Sequence, residues 1–252
     1  MRFASLGSGS GGNATLVCRG DTRILVDCGF GLRETERRLA RLQVAAESVT
    51  AILVTHEHSD HIKGVGAFAR KHRTPVYMTP GTYVSRHYGN IPVLRLIEHY
   101  RSFQVGEFTV QPVAVPHDAR EPAQYIFNAG GRQLGLLTDL GSITPHVVDA
   151  YGRCDSLLIE ANHDPIMLAN GPYPPSLKVR VGGPWGHLSN EQTGDLLHRV
   201  DKNNLQHLVL GHISRKNNSV ARAAATLEGV LAGIHKVHYA CQDEGFDWLD
   251  IN

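Results

Sequence analysis

Residues 55–61 carry more potential metal ligands than an ordinary surface segment of that length. The segment reads Thr-His-Glu-His-Ser-Asp-His and follows directly on the apolar run of residues 51–54. His56 and His58 stand two positions apart, so an extended or tightly turned backbone directs both rings at one metal ion. The acid and the histidine that end the segment can turn toward a second ion. The alternative is a polar loop or tag-like scavenger with chance histidines, and further ligand candidates downstream argue against it.

The composition predicts a globular protein with no general attraction for polyanions. The chain has 252 residues, of which 42% are hydrophobic and 19% charged, which suffices for a well-buried core. The net charge of +1 provides no global field toward nucleic acid, so polyanion binding would need a local patch or bound metal. The 15 histidines are many for this length and again favour metal binding.

The cysteines and the N-terminal sequence indicate a soluble cytoplasmic protein with no membrane partner. The four cysteines form no Cys-x-x-Cys pair and are predicted to be small buried residues in a reducing compartment. Residues 1–6 lack the apolar region of a signal peptide, and no stretch approaches 18 apolar residues.

A glycine-rich segment near the N-terminus has two interpretations. Gly7, Gly9 and Gly12 satisfy G-x-G-x-x-G after a predicted strand at residues 2–6. The dinucleotide fingerprint requires a helix next, whereas residues 14–18 have the composition of a strand. A turn between two strands is therefore favoured, and its backbone amides can still approach an anion beside an active site.

Several predicted strands end in a residue that can ligate or brace a metal. Such strand ends are where α/β sheets place their chemistry. The residues are Asp27, His117, Asp139, Glu160 and His212. Asp27 either braces the metal loop or is a plain turn residue, and the sequence leaves both open.

The predicted helices lie between these strands, and no linker divides residues 1–252 into two domains. Apolar spacing predicts helices over residues 32–43, directly after the metal loop, near 190–201 and after 220. Ser189 and Gln192 form a capping box for the third of these. Residues 170–184 are rich in Pro and Gly and are predicted to form a long shaped loop without a helix.

Residues 53–61, His117, Asp139 and residues 211–212 together resemble the metallo-β-lactamase superfamily over nearly the whole chain. The resemblance implies an α/β fold, the single-domain αββα sandwich, with a binuclear metal site along one sheet edge. It assigns His56, His58 and His117 to one metal, Asp60, His61 and His212 to the other, and Asp139 as the bridge. Imidazole and carboxylate ligands without thiolate suit two divalent ions, zinc or manganese, with iron possible.

A narrower set of motifs is similar to the YycJ/VicX (WalJ) family of bacterial metallo-hydrolases. The motifs lie at residues 8–14, 56–66, 117–119, 138–141, 160–164, 171–174, 186–190 and 211–214. The resemblance implies hydrolysis of phosphodiesters by a metal-bound hydroxide, with Asp60 among the catalytic residues. Ribonuclease Z relatives use a Glu–His pair, which implies His187 as general acid oriented by Glu160. The alternative is that His187 is a helix-entry residue bonded to backbone.

The resemblance favours a nucleic acid substrate and a 5′ exonuclease-like activity on DNA. Too few residues separate Asp139 from His212 for the inserted domain of ribonuclease J type enzymes. A small-molecule cyclic phosphodiesterase shares the same metal chemistry and remains the alternative. A non-catalytic regulatory protein would be expected to have lost a ligand, and all seven are present.

Five further residues are candidates for substrate contact. They are His163, Lys178, Arg180, Arg215 and Asn217. Cations and amides flanking a site can hold phosphates. A solvated surface explains the charged residues almost as well, and a structural role is equally open for His163.

Overall fold

The structure is a computed structural model that describes residues 1–234 and 236–252, and in these it contains fourteen strands and nine α-helices. The strands are β1 (Arg2–Gly7), β2 (Ala14–Arg19), β3 (Thr22–Val26), β4 (Ala51–Leu53), β5 (Val76–Met78), β6 (Leu94–Leu96), β7 (Phe103–Val105), β8 (Phe108–Ala114), β9 (Ala123–Ala129), β10 (Arg132–Leu137), β11 (Ser156–Glu160), β12 (His207–Gly211), β13 (Val237–Tyr239) and β14 (Phe246–Asp250). The helices are α1 (Leu32–Arg41), α2 (Ser59–Ile62), α3 (Val65–His72), α4 (Ser85–Tyr88), α5 (Pro145–Tyr151), α6 (Pro165–Asn170), α7 (Pro175–Val181), α8 (Asn190–Arg199) and α9 (Val220–Leu231).

The chain forms two compact units. The first comprises Met1–Ala114, Ala119–Arg132 and Cys241–Asn252, and the second comprises Val115–Asp118 and Gln133–Ala240. That residues 1–252 form a single domain remains a prediction.

The first unit contains a sheet in the order β14-β1-β2-β3-β4-β5-β6. Strands β14 to β3 pair antiparallel, and β3 to β6 pair parallel. The antiparallel pairing of β1 with β2 confirms the strand–turn–strand prediction and excludes the dinucleotide fingerprint, which needs a helix at that point. Strands β7, β8 and β9 of the same unit pair antiparallel.

The second unit is built on the parallel strands β10, β11, β12 and β13. Strands β11 and β12 are buried along their whole length, as continuous apolar runs in a parallel sheet require. The register pairs Leu137 with Ile159 and Glu160 with Gly211. The residues that follow β10, end β11 and follow β12 therefore emerge side by side at one sheet edge.

The helix predictions were confirmed except in one segment. The capping box of α8 is present, with Ser189 and Gln192 each bonding the other's backbone. The prediction that residues 170–184 contain no helix was wrong, because α7 occupies Pro175–Val181. Pro175 sits at the first helical position, where its missing N–H costs nothing.

The cysteine prediction needs one correction. All four cysteines are free, but Cys241 is exposed, whereas Cys18, Cys28 and Cys154 are buried. Burial raises the pKa of the Cys28 thiol to about 12. Within the described residues, no helix has both the length and the apolar character that crossing a membrane requires.

Candidate metal centre

The predicted metal loop follows β4 in the first unit and runs directly into α2. His58 is the N-cap residue of this helix, and Asp60 and His61 lie in its single turn. Nε2 of His56 lies 3.0 Å from Nδ1 of His58, a separation that suits either a shared proton or two ligands of one ion. Nε2 of His61 lies 3.5 Å from Oδ2 of Asp60. The structure thus brings together the four ligands predicted in this unit.

Asp27 braces this loop. Its buried carboxylate accepts hydrogen bonds from the backbone N–H and the hydroxyl of Thr55, each at 2.8 Å. The third partner is Nδ1 of His61, also at 2.8 Å. Burial raises the pKa of Asp27, while the charge of His61 opposes that shift. A carboxylate bonded to one ring nitrogen fixes the tautomer and orients the other nitrogen for a ligand. The bracing role left open by the sequence is therefore the observed one.

The glycine-rich turn packs against the same loop. Asn13 closes this turn through two hydrogen bonds with the backbone of Gly9. Its side-chain amide nitrogen lies 3.1 Å from Nε2 of His61 and 3.3 Å from Oδ2 of Asp60. A Cβ on Gly29 would lie 1.7 Å from the backbone oxygen of Asp60, so only glycine allows this approach. Sequence reasoning missed Asn13, although it ends the glycine motif.

Two buried histidines of the second unit have their tautomers set by backbone carbonyls. Nδ1 of His117 lies 3.0 Å from the carbonyl oxygen of Gly186. Nδ1 of His212 lies 2.8 Å from that of Thr138. A carbonyl oxygen only accepts, so Nδ1 carries the proton and Nε2 of each neutral ring keeps its lone pair. His212 also has a φ of 50°, an uncommon left-handed backbone for a residue with a side chain.

Asp139 stands between these histidines and the predicted catalytic pair. Its carboxylate oxygen Oδ1 lies 3.2 Å from Nδ1 of His212 and 3.8 Å from Nδ1 of His187. Potential ligand atoms of His117, Asp139 and His187 all lie within 4.8 Å of one another, as do those of Glu160, His187 and His212. The parallel register of β10, β11 and β12 explains the convergence of Asp139, Glu160 and His212, because these neighbouring strands end at the same edge.

Glu160 and His187 are in direct contact. Nδ1 of His187 lies 2.9 Å from Oε2 of Glu160, whose other oxygen accepts the backbone N–H of Leu140. Burial, followed by the charge of Asp139, raises the pKa of Glu160 well above its usual range. The His187 side chain keeps 20% of its surface exposed, whereas that of Glu160 is fully buried. The ring can therefore meet a substrate while its carboxylate partner cannot.

The predicted substrate contacts are spread over the second unit. His163 is buried next to this site, and burial lowers its pKa to about 4. The Lys178 ammonium donates to the carbonyl of Ala169, and the Arg180 guanidinium pairs with Asp118. Arg215 is exposed, and Asn217 is buried. The charge of His187 acts on His163, and Arg180 reaches the neighbourhood of His117 through Asp118, an ion pair that was not predicted.

The donor groups within each unit suit divalent metals. They are imidazole nitrogens and carboxylate oxygens, most of them buried, and neighbouring oxygens orient the rings of His61, His117 and His212. Such groups suit zinc, manganese or iron. Buried clusters of this kind are costly without a cation to satisfy them.

Comparison with known proteins identifies the family. A model of the beta-lactamase superfamily domain matches residues 22–213. Over 237 residues the chain is 35% identical to exodeoxyribonuclease YycJ of Bacillus anthracis, which covers 92% of this chain and 89% of that protein. It is 34% identical to exodeoxyribonuclease WalJ of Streptococcus pneumoniae, covering 92% and 88%. The chain belongs to the beta-lactamase superfamily and, within it, to the YycJ/WalJ family.

The fold agrees with this family. The metallo-β-lactamase-fold protein YhfI of Bacillus subtilis matches with a TM-score of 0.76 over 98% of both chains, at 18% identity. A likeness at this identity shows the fold alone, and it confirms the predicted αββα class. Membership of the YycJ/WalJ family and the histidine–aspartate clusters together indicate divalent metal binding.

Proposed function

We propose that this YycJ/WalJ family member is a metal-dependent exodeoxyribonuclease that acts at 5′ ends and hydrolyses phosphodiester bonds. The observation that carries the proposal is the 2.9 Å contact of His187 with the buried Glu160. It lies within a cluster of potential metal ligands. Hydrolysis of a phosphodiester with a poor leaving group needs such a proton donor, whereas metal binding alone does not. The two relatives named exodeoxyribonuclease support DNA as the substrate.

Seven residues would hold two divalent ions, zinc or manganese, with iron as the third candidate. His56, His58 and His117 would hold one ion, Asp60, His61 and His212 the other, and Asp139 would bridge them. Bound ions of this kind neutralise phosphate charge and supply a nucleophile near neutral pH. Asp60 thereby belongs to the catalytic residues as well as to the ligands.

The protein's own residues handle the proton that the leaving alkoxide takes up. Glu160 accepts a hydrogen bond from the Nδ1–H of His187, which holds the ring in one orientation with Nε2 directed away from the carboxylate. His187 then donates from Nε2 to the oxygen of the departing nucleotide.

End-labelled oligonucleotides with and without a 5′-phosphate, single- and double-stranded, would test the proposal. We expect mononucleotide release from one end by the metal-loaded wild-type protein. Asp139→Ala should abolish this release and lower the bound metal. Arg37→Ala is a suitable control variant, because Arg37 is exposed and its guanidinium pairs with Glu34 on the same helix, α1.

Cleavage of none of these oligonucleotides would contradict the nuclease assignment. Turnover of a cyclic phosphoribose ester in the same assay would then favour the small-molecule cyclic phosphodiesterase. Absence of any turnover, with metal bound in full, would favour a non-catalytic regulatory protein.

A further inference from the structure

The side chain of Asn13 joins the glycine-rich turn to two candidate metal ligands. Asn13 is buried, and its Oδ1 accepts the backbone N–H of Gly9 at 2.8 Å. Because a backbone N–H can only donate, this bond fixes which end of the amide is the NH2 group. That group donates to the carbonyl of Gly9 at 3.1 Å and lies 3.3 Å from Oδ2 of Asp60 and 3.1 Å from Nε2 of His61. A donor therefore stands against both ligand atoms.

The same two atoms of Asp60 and His61 have the spacing of ligands that share one ion. Nε2 of His61 lies 3.5 Å from Oδ2 of Asp60. Two ligands of a tetrahedral zinc ion, each at about 2.1 Å from it, are about 3.4 Å apart. Nδ1 of His61 is bonded to Asp27, so Nε2 is the nitrogen that faces a metal. The Asn13 amide thus borders a pair of atoms at ligand spacing.

Asn13 holds Asp60 through its backbone as well as through its side chain. The N–H of Asn13 donates to the backbone carbonyl of Asp60 at 2.8 Å. Asp60 lies in a helix of a single turn, and its carboxylate is partly open to solvent. The torsion that turns a carboxylate about its own axis is broad, so a neighbouring donor selects the orientation. Hydrogen bonds of this kind to a ligand contribute about 10–100-fold to metal affinity.

Gln242 anchors the turn that carries Asn13. Its Oε1 accepts the N–H of Gly11 at 2.7 Å, and its Nε2 donates to the carbonyl of Gly12 at 3.0 Å. The turn comes close enough for these bonds because Gly9 has a φ of 141°, and a Cβ there would lie 2.6 Å from Oε1 of Gln242. The side chain of Gln242 therefore fixes the two residues that directly precede Asn13.

We propose that Asn13 is a positioning residue of the candidate metal centre and that Gln242 supports it through the glycine-rich turn. Asn13 holds the Asp60 carboxylate in the orientation in which it shares an ion with His61. The inference rests on the proposed ligand roles of Asp60 and His61, and it adds two residues that bind no metal themselves. Its consequence is that the affinity for one of the two ions depends on the segment that follows β13.

A zinc titration of the metal-depleted full-length protein tests the proposal without any DNA. In Asn13→Ala, one of the two zinc equivalents should bind about 10–100-fold more weakly than in the wild type. Gln242→Ala should weaken the same equivalent by about fivefold, the effect of one hydrogen bond. Gln242→Glu keeps the acceptor for Gly11 and should restore part of that loss. The visible absorption of bound cobalt(II), which reports ligand geometry, should change in Asn13→Ala.

Ser5→Ala is the matched control for a loosened turn. Ser5 is buried in β1, and its hydroxyl accepts the N–H of Gly7 and donates to the carbonyl of Ala14, which flank the same turn. Loss of these bonds should lower the urea midpoint, as Asn13→Ala also does. Both zinc affinities and the cobalt spectrum of Ser5→Ala should match those of the wild type. Gln242 is only half-buried, so Gln242→Ala provides the test if Asn13→Ala does not fold.

Wild-type zinc affinities in Asn13→Ala or in Gln242→Ala would overturn the proposal. So would a loss of zinc affinity in Ser5→Ala as large as that in Asn13→Ala, because general loosening of the turn would then be the cause. Cleavage of DNA by the wild type would leave the proposed function standing in these cases. If the predicted zinc losses are found but the wild type cleaves no DNA, the proposed function fails and the positioning role stands.

Discussion

The two units position their candidate ligands by different means. In the first unit, His56, His58, Asp60 and His61 are nearly contiguous, and the buried carboxylate of Asp27 holds the loop through three hydrogen bonds. In the second unit, each candidate follows a different strand, and carbonyl oxygens orient the rings. The first arrangement is local, whereas the second depends on the register of a parallel sheet.

This difference implies a division of work. In our proposal, the candidate residues of the first unit bind or brace metal. The second adds a Glu–His pair whose ring is partly open to solvent. Changes in the first unit should therefore act on metal content and stability, and some changes in the second should act on turnover alone.

The largest expected effect comes from His187→Ala. Loss of the proton donor should lower kcat on an oligonucleotide by about 10²–10⁴-fold, because the leaving alkoxide is a strong base. The loss should be far smaller with bis(p-nitrophenyl) phosphate, whose leaving group departs without a proton. Steady-state kinetics on both substrates, with metal content measured in parallel, check this. Equal losses on the two substrates would argue against a general acid and weaken the division of work.

Asp27→Ala should act mainly on stability and metal affinity, in contrast to His187→Ala, which should act on turnover. It leaves the donors of Thr55 and His61 without their shared acceptor and places Ala at a φ of 60°. We expect the free energy of unfolding to fall by about 4 kcal/mol and metal affinity to fall by about 10–100-fold. Urea unfolding and metal titration measure the two effects. Asp27→Asn is the control, since Asn tolerates this backbone, and similar damage from both variants would show that charge dominates over geometry.

His163 gives the second unit an acid sensitivity. Its folded-state pKa of about 4 lies below the ordinary 6.5, so the fold favours the neutral ring. The stability it contributes is complete above pH 6.5 and is lost as the pH falls through about 4, by at most about 3 kcal/mol. Wild-type protein should lose more stability between pH 7 and 4 than His163→Gln does, as urea midpoints would show. Parallel curves would contradict a buried neutral His163.

The smallest expected effect concerns the helix cap next to His187. Ser189→Ala removes the capping box of α8 and should cost about 1 kcal/mol, measured by thermal unfolding. Ser219→Ala removes the cap of α9 and serves as the matched control, because Ser219 lies outside the candidate site. Only Ser189→Ala should also lower kcat. An equal effect of both on kcat would mean that the Ser189 cap has no special role in placing His187.

The sequence predicted the local features better than the assembled ones. The metal loop and the capping box are contiguous patterns: the capping box is confirmed, and the side chains of the loop lie together, while their binding of metal stays a prediction. The helix α7 was missed because Pro was weighed as a breaker, although Pro175 occupies the one helical position that tolerates it. The edge strand β14 was missed because acids interrupt its aromatic residues.

In the candidate site, too, the sequence located residues but did not predict most of their contacts. His117, Asp139 and His212 were located as strand ends, but no sequence pattern states that a backbone carbonyl orients the rings of His117 and His212. The contact of Asn13 with His61 joins residues 48 positions apart, and Arg180 reaches Asp118 across 62. Such contacts depend on the packed structure, which local periodicity does not encode. Family resemblance supplied the pairing of Glu160 with His187, which spacing alone would not have predicted.

Metal content across variants of both units tests the central claim most directly. The proposal is that seven residues of the chain hold two divalent ions and that the protein cleaves DNA. Elemental analysis should find about two equivalents of divalent metal in the wild-type protein. It should find about one or fewer in His58→Ala of the first unit and in His212→Ala of the second, with oligonucleotide cleavage lost in both. Full metal content and wild-type cleavage in either variant would contradict the account.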